Sequence, residues 1–472
     1  MAERNEQFGQ EDHSEKRVKD NARRFEAMLK GEEFYFFDQI SLEEIFFFYM
    51  RHNKLNKALK LANYAMQRNP QSEELYFKRA SVLFEMGRLQ DARRDAERAL
   101  EMNPFQMDYV FLKSEILGQL GKYDAAIAEL NTYMPLSNNV EEVWLQMGNL
   151  AQTSSRNEDA ERFYRKSLEV RPDFEEPLHE LAYCLEAEEK LEAAVEVYLE
   201  FLDRNPFTCP VWYNLGILYA RMGHYEKAID AYDFCLAIED SFASAWYHKG
   251  NVLLEMEKYD EALKCFLEAA VHEKPDLAIH YNIAECYEQL GSFGMALKYY
   301  RRCTDSNPEY AEAWIGMGFC LEAIDRFSES AHFYRKGLEV DPDNYDGWVS
   351  LATMEYRVGH LTSAYESLER ALQINRNDIK VWMDWGDMLF RDDNREGAIT
   401  FLLDGINNNS HAAELYFQVS AYFYHTSRYT RGLTYLENGL LLDAGKHYIL
   451  FNHFPDLNKI PSVNDLINQY TS

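Results

Sequence analysis

The side chains most often used in catalysis and metal binding are present in this sequence, but their spacing matches no reaction centre. The thirteen histidines are scattered, and the sequence has no H-E-x-x-H, no G-x-S-x-G and no paired Cys/His spacing of a zinc site. His248 and His280 stand alone. Gly316 and Gly318 form a G-M-G triplet inside a helical pattern with no strand before it, where glycine serves packing. We therefore expect no enzyme, no catalytic residue, no metal and no cofactor.

The seven cysteines are expected to be structural as well. Their number is odd, they contain no C-x-x-C pair, and most of them replace small residues in helical segments. The sequence predicts small buried thiols, rather than metal ligands or redox pairs, at Cys184, Cys209, Cys235, Cys265, Cys286, Cys303 and Cys320.

What remains is a set of aromatic, amide and acidic side chains, carried by short helices that recur at one period. In the stretch from Ala243 to Asp276, large and small residues form one apolar stripe on each of two successive helices. Gly250 and Ala262 leave room for the two helix axes to approach closely. The marker residues of the stretch are Trp246, Gly250, Leu253, Ala262, Phe266 and Ala269, at positions 4, 8, 11, 20, 24 and 27. The stretch is therefore a helical hairpin that needs neighbours.

The same spacing returns every 34 residues without an insertion. It defines twelve repeats, which begin at residues 39, 73, 107, 141, 175, 209, 243, 277, 311, 345, 379 and 413, and the last ends at Lys446. Position 20 is Ala in ten repeats, and position 8 is small in eleven, with Phe46 as the exception. Glycine at position 15, as at Gly223, predicts a left-handed residue that ends the first helix, and proline near position 32 ends the second. Such short helices are marginal in water, so stacking must stabilise them.

The pattern W-x-x-x-G, then Y or L, then A-x-x-x-F/Y, A and P in a 34-residue frame resembles the tetratricopeptide repeat, over residues 39–446. The resemblance implies an all-α fold: a right-handed superhelical solenoid of twelve helical hairpins with terminal capping helices. The long array is also similar to cytoplasmic tetratricopeptide proteins of bacteria. The resemblance is specific for fold and weak for function, because such repeats serve docking, assembly and adaptor functions alike.

In tetratricopeptide arrays the first helix of each hairpin lines the concave side, so the resemblance places repeat positions 2, 5, 6, 9, 12 and 13 in a groove. It implies a partner-binding groove lined by Phe77, Phe111, Asn149, Tyr213, Asn214, Tyr247, His248, Asn251, Tyr281, Asn282, Glu285 and Phe417. Tyr213, Tyr247 and Tyr281 occupy position 5 of consecutive repeats and would form a ladder suited to a peptide. Tyrosine is also common there in ordinary repeats of the family, so packing within the scaffold is the alternative.

Charge bears on the choice of partner. The sequence has 79 acidic and 49 basic residues, for a net charge of −30, which disfavours nucleic acid and anionic membranes. Acids also recur at inner positions, among them Glu115, Glu285 and Asp387 at position 9. We expect a non-catalytic scaffold or adaptor for protein or peptide partners, with a basic segment as the sharper hypothesis. Solvation of a long surface explains the same charge without a partner.

The ends of the chain differ from the repeats. Residues 1–14 are predicted as a disordered tail, residues 15–38 as an amphipathic helix and lead-in, and residues 447–472 as a C-terminal capping segment. The sequence has no apolar run of about 18 residues and no visible secretory signal, so the expected location is cytoplasmic, without membrane contact.

Two local departures from the pattern predict further features. The aromatic run Phe46, Phe47 and Phe48 could form a homotypic interface. The alternative function is therefore a structural or regulatory subunit, packed permanently in a homo- or hetero-oligomeric assembly. Glu355 stands where an apolar residue is expected, which predicts that repeat 10 is locally open.

Overall fold

The structure is a computed structural model that describes residues 2–32, 34–274 and 276–471. Throughout these described residues the secondary structure is helical, and the chain divides into two compact halves after Asp240. Helices are numbered in chain order. The N-terminal half contains α1 (Ala2–Leu29), α2 (Gln39–Arg51), α3 (Leu55–Arg68), α4 (Glu73–Glu85), α5 (Leu89–Met102), α6 (Met107–Gln119), α7 (Tyr123–Tyr133), α8 (Val140–Thr153), α9 (Asn157–Val170), α10 (Glu175–Ala187), α11 (Leu191–Leu202), α12 (Cys209–Arg221) and α13 (Tyr225–Ile238).

The C-terminal half begins at Ser241 and repeats the same alternation of helices. It contains α14 (Ala243–Glu255), α15 (Tyr259–His272), α16 (Leu277–Gln289), α17 (Phe293–Ser306), α18 (Ala311–Ala323), α19 (Phe327–Val340), α20 (Tyr345–Val358), α21 (Leu361–Ile374), α22 (Ile379–Arg391), α23 (Arg395–Asn408), α24 (Ala413–His425), α25 (Tyr429–Asp443), α26 (Ile449–His453) and α27 (Pro461–Thr471).

The 34-residue register predicted from the sequence is confirmed by the helix boundaries. Each first helix begins at position 1 of its repeat or one residue before it, and each second helix begins at position 17. Position 15 has a positive φ in every repeat, both where it is glycine, as at Gly223 (φ 74), and where it is not, as at Glu257 (φ 59). The turn between paired helices is therefore the same in all twelve hairpins of the described chain.

Large and small residues hold each hairpin together as the pattern predicts. A Cβ atom added to Gly250 would lie 2.7 Å from the ring of Phe266, and one added to Gly216 would lie 2.6 Å from the ring of Tyr232. Ala262 is fully buried. The close approach of the two helices thus depends on a small residue at repeat position 8, on the first helix, and on the ring at repeat position 24, on the second helix.

The N-terminal helix packs on the first repeat. Phe25 is fully buried, and its ring lies 5.6 Å from the ring of Tyr64 on α3. The helical backbone extends back to Ala2, which differs from the predicted disordered tail over residues 1–14. Many residues of this polar stretch, such as Glu, Gln and Lys, have good helix propensity, and it contains no proline to end a helix.

The C-terminal segment covers the last hairpin. Val463 and Ile467 of α27 are buried in the same core as Leu436 and Leu440 of α25. This confirms the predicted capping helix, which shields apolar surface that a thirteenth repeat would otherwise cover.

Repeat 10 is closed, so the prediction of an open site at Glu355 is wrong. The Glu355 side chain is only 2% exposed. It accepts from Arg335 at 2.6 Å and from the hydroxyl of Ser367 at 2.7 Å. A buried carboxylate is tolerated here because a cation and a hydroxyl replace water.

The cysteines also differ from prediction in one respect. Cys209 and Cys235 form a disulfide between α12 and α13, with their Cα atoms 4.3 Å apart. They were predicted as separate thiols, but positions 1 and 27 of a repeat lie side by side in the folded hairpin. The other five cysteines are buried and lie outside this disulfide, as expected.

Candidate functional site

The first helices of neighbouring repeats contact one another, as α6 contacts α8 in the N-terminal half and α16 contacts α18 in the C-terminal half. Side chains at position 6 of one repeat reach position 9 of the repeat before it. Gln146 donates from Nε2 to Oε1 of Glu115 at 2.9 Å. Asn282 donates from Nδ2 to Oδ1 of Asn251, also at 2.9 Å. The inner polar residues therefore join repeats to each other.

Glu285 also occupies position 9, but position 6 of the next repeat is Gly316, which has no side chain to donate. The Glu285 side chain is half-buried. Within the described part of the chain, no hydrogen bond or ion pair joins its carboxylate to another side chain. Burial and the negative charge of Glu255 raise the pKa of Glu285. A cation supplied by a ligand would stabilise such a carboxylate.

Aromatic rings lie around this part of the C-terminal half. The Tyr281 ring packs edge-on against Tyr310, with 5.4 Å between centroids, and lies 5.6 Å from the Tyr300 ring. Burial raises the pKa of Tyr281, so it remains a neutral phenol. The half-buried Tyr247 lies 5.4 Å from the ring of His248. Tyrosine faces beside a carboxylate suit an ammonium or guanidinium group.

The other titratable groups near this site are not available in the same way. Glu288 accepts from the Tyr300 hydroxyl at 2.9 Å, and burial raises its pKa. Burial lowers the pKa of His248, which keeps the ring neutral at physiological pH. Glu255 and Glu312 are exposed to water, so among the described residues Glu285 is the half-buried carboxylate of this cluster that accepts no hydrogen bond from a side chain.

In the N-terminal half, the predicted aromatic residues pack against their neighbours. Phe77 stacks on Tyr109 with 4.8 Å between ring centroids. Tyr213 lies 6.2 Å from Tyr232, and Phe111 is half-buried. These rings keep part of their surface exposed while contributing to the packing of their repeats.

The predicted asparagines of the N-terminal half are engaged within the protein. Asn149 accepts from the Tyr164 hydroxyl at 2.9 Å. The side chain of Asn214 lies 3.1 Å from Nδ1 of His179, at hydrogen-bond distance. These amides position helices, and a ligand would have to share them.

Phe417 does not line a surface, which corrects the prediction that it belongs to a groove. Its side chain is fully buried. Position 27 of its repeat is Gly439, and a Cβ atom there would lie 3.0 Å from the Phe417 ring. Ile315 occupies the matching space beside Gly337, again at position 27. Glycine at this position lets the position 5 side chain pack inward.

The N-terminal aromatic run is only partly exposed. Phe46 is 7% exposed and belongs to the core of the first repeat, whereas Phe47 is 63% exposed. Phe48 is half-buried. Phe46 is therefore unavailable for the homotypic interface in which it was predicted to take part.

Two residues important to this site were not predicted. Tyr310 lies in the connection between repeats 8 and 9, outside the inner positions of the first helices. Gly316 was interpreted only as a packing residue, although its effect on Glu285 follows from pairing position 9 with position 6 of the next repeat. This effect of Gly316 could have been found from the sequence alone.

No helix in the described residues is both long enough and apolar enough to span a membrane.

Tandem helical hairpins with this regular exchange of large and small residues define a helical-repeat protein that presents side chains from an array of first helices. The sequence matches the tetratricopeptide repeat at residues 77–139, 145–207, 210–242, 247–311 and 311–344. These matches cover more than half of the chain. The chain belongs to the tetratricopeptide repeat family.

Related proteins and structures share parts of this array. A segment of 103 residues is 32% identical to the protein O-mannosyl-transferase TMTC3 of Mus musculus, covering 21% of this chain and 10% of that protein. The Homo sapiens protein is 30% identical over 110 residues, covering 23% and 11%. The match thus spans about a tenth of the length of these curated relatives.

Among solved structures, YrrB, a TPR protein with an unusual peptide-binding site, is 24% identical with a TM-score of 0.36, covering 40% of this chain and 96% of that one. MamA is 18% identical with a TM-score of 0.34, covering 35% and 90%.

Proposed function

We propose that this protein is a non-catalytic interaction scaffold, and that the first helices α14 and α16 bind a segment of a partner protein that carries a basic side chain. The observation that carries the proposal is Glu285, a half-buried carboxylate with a raised pKa and no donor from the facing repeat, where Gly316 stands. A lysine or arginine of the partner would supply the missing donor.

The surrounding residues fit this ligand. The faces of Tyr281 and Tyr310 attract a cation, and the desolvated setting strengthens that attraction. Asn282 and Asn251 hydrogen-bond to each other through one donor and one acceptor. Because each amide offers two donors and an acceptor oxygen, the pair retains capacity to bind an extended backbone. The net charge of −30 favours the approach of a basic partner.

Binding of a labelled peptide tests this proposal. The probe is a fluorescein-labelled glycine–serine peptide with one central arginine, and the control probe carries citrulline, a neutral analogue of arginine, at the same place. We expect the arginine peptide to bind more tightly by fluorescence anisotropy, with an affinity that falls as salt is added. Glu285→Gln should weaken arginine binding about tenfold, as expected for loss of a charge-assisted hydrogen bond.

A matched variant distinguishes this site from general acidity. Glu115 occupies the same repeat position and is bonded to Gln146, so Glu115→Gln removes the same charge from a paired site. It should leave the affinity nearly unchanged. Equal loss in both variants, or equal binding of arginine and citrulline peptides, would contradict the proposal.

The location that we propose for this protein is the cytoplasm. Cytosolic thiols are kept reduced, so a cytosolic pool of this protein should contain Cys209 and Cys235 as thiols. Alkylation of the protein in freshly lysed cells, followed by mass spectrometry of the peptide that contains Cys235, distinguishes the thiol from the disulfide.

A further inference from the structure

The first repeat reverses the large and small residues that hold the other hairpins together. In repeats 6 and 7, glycine at position 8 faces an aromatic ring at position 24, as Gly250 faces Phe266. In the first repeat the aromatic residue is Phe46, at position 8, and position 24 is Ala62. The bulk therefore comes from α2 instead of α3, and α3 presents the small residues Ala62 and Ala65 on this side.

A cavity of about 460 Å³ lies where the ring of the second helix is missing. It is open to solvent and lies between α2, α3, α4 and the lead-in segment 34–38, of which Phe36, Phe37 and Asp38 line it. The apolar part of its wall includes Phe37, Phe46, Leu61, Ala62, Ala65 and Leu75. This volume lies within the range of pockets that bind small molecules or inserted side chains.

Contacts with α1 hold the lead-in segment in place. The rings of Phe25 and Phe37 are 6.0 Å apart and nearly perpendicular. The Tyr49 hydroxyl donates to the carbonyl oxygen of Ala22 at 3.1 Å, and Lys57 pairs with Glu26 at 2.6 Å. The cavity is therefore preformed, which lowers the entropic cost of binding.

Exposed apolar residues lie at the cavity and close to it in the chain. Phe36, which lines the cavity, is 81% exposed, and Phe34 and Ile40, within four residues of it in the sequence, are 83% and 67% exposed. Large apolar side chains grouped in this way beside a pocket are typical of protein interaction sites. They would cover the backbone on either side of an inserted side chain.

Arg68 supplies a charge at the same wall. Its guanidinium carbon lies 5.3 Å from the centre of the Phe36 ring and 4.5 Å from that of Tyr64. No carboxylate of the described residues pairs with it. The other cation of the wall, Lys78, is 8% exposed. Its ammonium is neutralised by Glu74 at 2.6 Å and Glu43 at 3.6 Å.

We propose that this cavity binds a partner peptide that inserts an aromatic or branched aliphatic side chain and pairs an adjacent carboxylate with Arg68. The apolar wall selects the inserted side chain. Arg68, oriented by the two rings beneath it, selects the anion through a bidentate hydrogen bond. This ligand chemistry is opposite in charge to that proposed for Glu285, and the two sites can be tested separately.

The test uses the full chain and short acetylated glycine–serine peptides that contain Phe-Glu, Ala-Glu or Phe-Gln. The Phe-Glu peptide carries a fluorine on its phenylalanine ring, so that its ¹⁹F line broadens on binding. We expect the Phe-Glu peptide to bind in the millimolar range or tighter. The Ala-Glu peptide should fail to compete for its site, and the Phe-Gln peptide should compete about tenfold more weakly.

Variants of the protein locate the binding to the cavity. Ala65→Leu places a larger side chain in the cavity and should abolish binding while the unfolding midpoint stays the same or rises. Arg68→Gln should weaken binding about tenfold, and Lys60→Gln, an exposed change on the same helix, should leave it unchanged. Phe36→Ser changes an exposed side chain on which the fold does not depend, and it should weaken binding too.

Two outcomes would overturn the proposal. One is that the ¹⁹F line of the Phe-Glu peptide does not broaden when the wild-type protein is added, or that it still broadens with Ala65→Leu and Phe36→Ser. The other is a dimer by sedimentation velocity that Ala65→Leu abolishes, because the occupant would then be a second copy of this chain. Loss of arginine-peptide binding in Glu285→Gln affects neither result.

Discussion

Gln146 donates to Glu115 at 2.9 Å across two neighbouring repeats, so the fold itself supplies a hydrogen-bond donor to an acid on the inner helices. Gln418 does the same for Asp387 at 2.7 Å in the C-terminal half. The recurring bond explains why inner acids alone do not mark a ligand site. Glu285 differs because the facing position is Gly316.

Removal of an inner amide should destabilise the protein more than removal of both partners. Gln146→Leu leaves the Glu115 carboxylate without its donor and should cost about 1 to 3 kcal/mol of unfolding free energy. The double variant Gln146→Leu, Glu115→Leu should recover part of this cost. Urea unfolding of all four proteins of the cycle measures the coupling, and a coupling near zero would show that the bond contributes little.

Packing residues and surface residues of the repeat starting at Ala243 should respond differently to substitution. Ala262→Leu overpacks a fully buried position and should cost about 1 to 3 kcal/mol. Tyr247→Ala removes a half-buried ring and should cost much less. Chemical denaturation compares the two variants. Equal large losses would show that Tyr247 belongs to the core.

The buried carboxylate of repeat 10 should matter to stability. Glu355→Ala removes the partner of Arg335 and Ser367 and leaves a cavity, so it should cost about 3 kcal/mol. Glu355→Met keeps the volume, and it should cost less because the half-exposed Arg335 can turn to water. Glu366→Ala, an exposed change on α21, is the control for thermal unfolding. A cost for Glu355→Ala no larger than that of the control would contradict this view.

The pKa of Glu285 predicts how unliganded stability depends on pH. Its pKa is raised in the folded protein by burial and by Glu255, so ionisation at neutral pH opposes folding, and stability is regained as pH falls through that raised pKa. Glu285→Gln should therefore raise the unfolding midpoint modestly at neutral pH, since partial exposure screens the effect. The difference from wild type should shrink below the folded-state pKa. A variant less stable than wild type at neutral pH would contradict this sign.

Binding of the arginine peptide should follow the same titration in the opposite sense. Glu285 attracts the guanidinium group only in its ionised form. Because its pKa is raised, the affinity should fall on acidification at a higher pH than that at which an ordinary glutamate becomes protonated. Glu285→Gln should remove this pH dependence. Anisotropy titrations across a pH series measure it, with the citrulline peptide as the control for general changes in the protein.

Much of the fold was predictable because the structural role of each repeat position depends on residues that are close to it in the sequence. Gly223 at position 15 ends a helix, and Ala262 at position 20 admits a close neighbour, wherever the repeat stands in the chain. The closed environment of Glu355 was not predictable from its own repeat. Arg335 belongs to the preceding repeat, and only the fold brings its side chain to the carboxylate.

The candidate site was predicted less completely, for a related reason. Position 5 is aromatic at both Tyr281 and Phe417, but position 27 of the same repeat decides whether the ring packs inward. It is Cys303 beside Tyr281 and Gly439 beside Phe417. In the same way, Glu115 and Glu285 both occupy position 9. They differ in the residue 31 positions later, which is Gln146 for Glu115 and Gly316 for Glu285.

The central claim is that α14 and α16 hold a basic segment through Glu285. Photo-crosslinking tests it most directly, using the arginine peptide with a diazirine beside the arginine and mass spectrometry to locate the crosslinks. We expect crosslinks on α14, on α16 and at Tyr310 in the wild type, and their loss in Glu285→Gln but not in Glu115→Gln. Crosslinks confined to the second helices, or unchanged in Glu285→Gln, would contradict the claim.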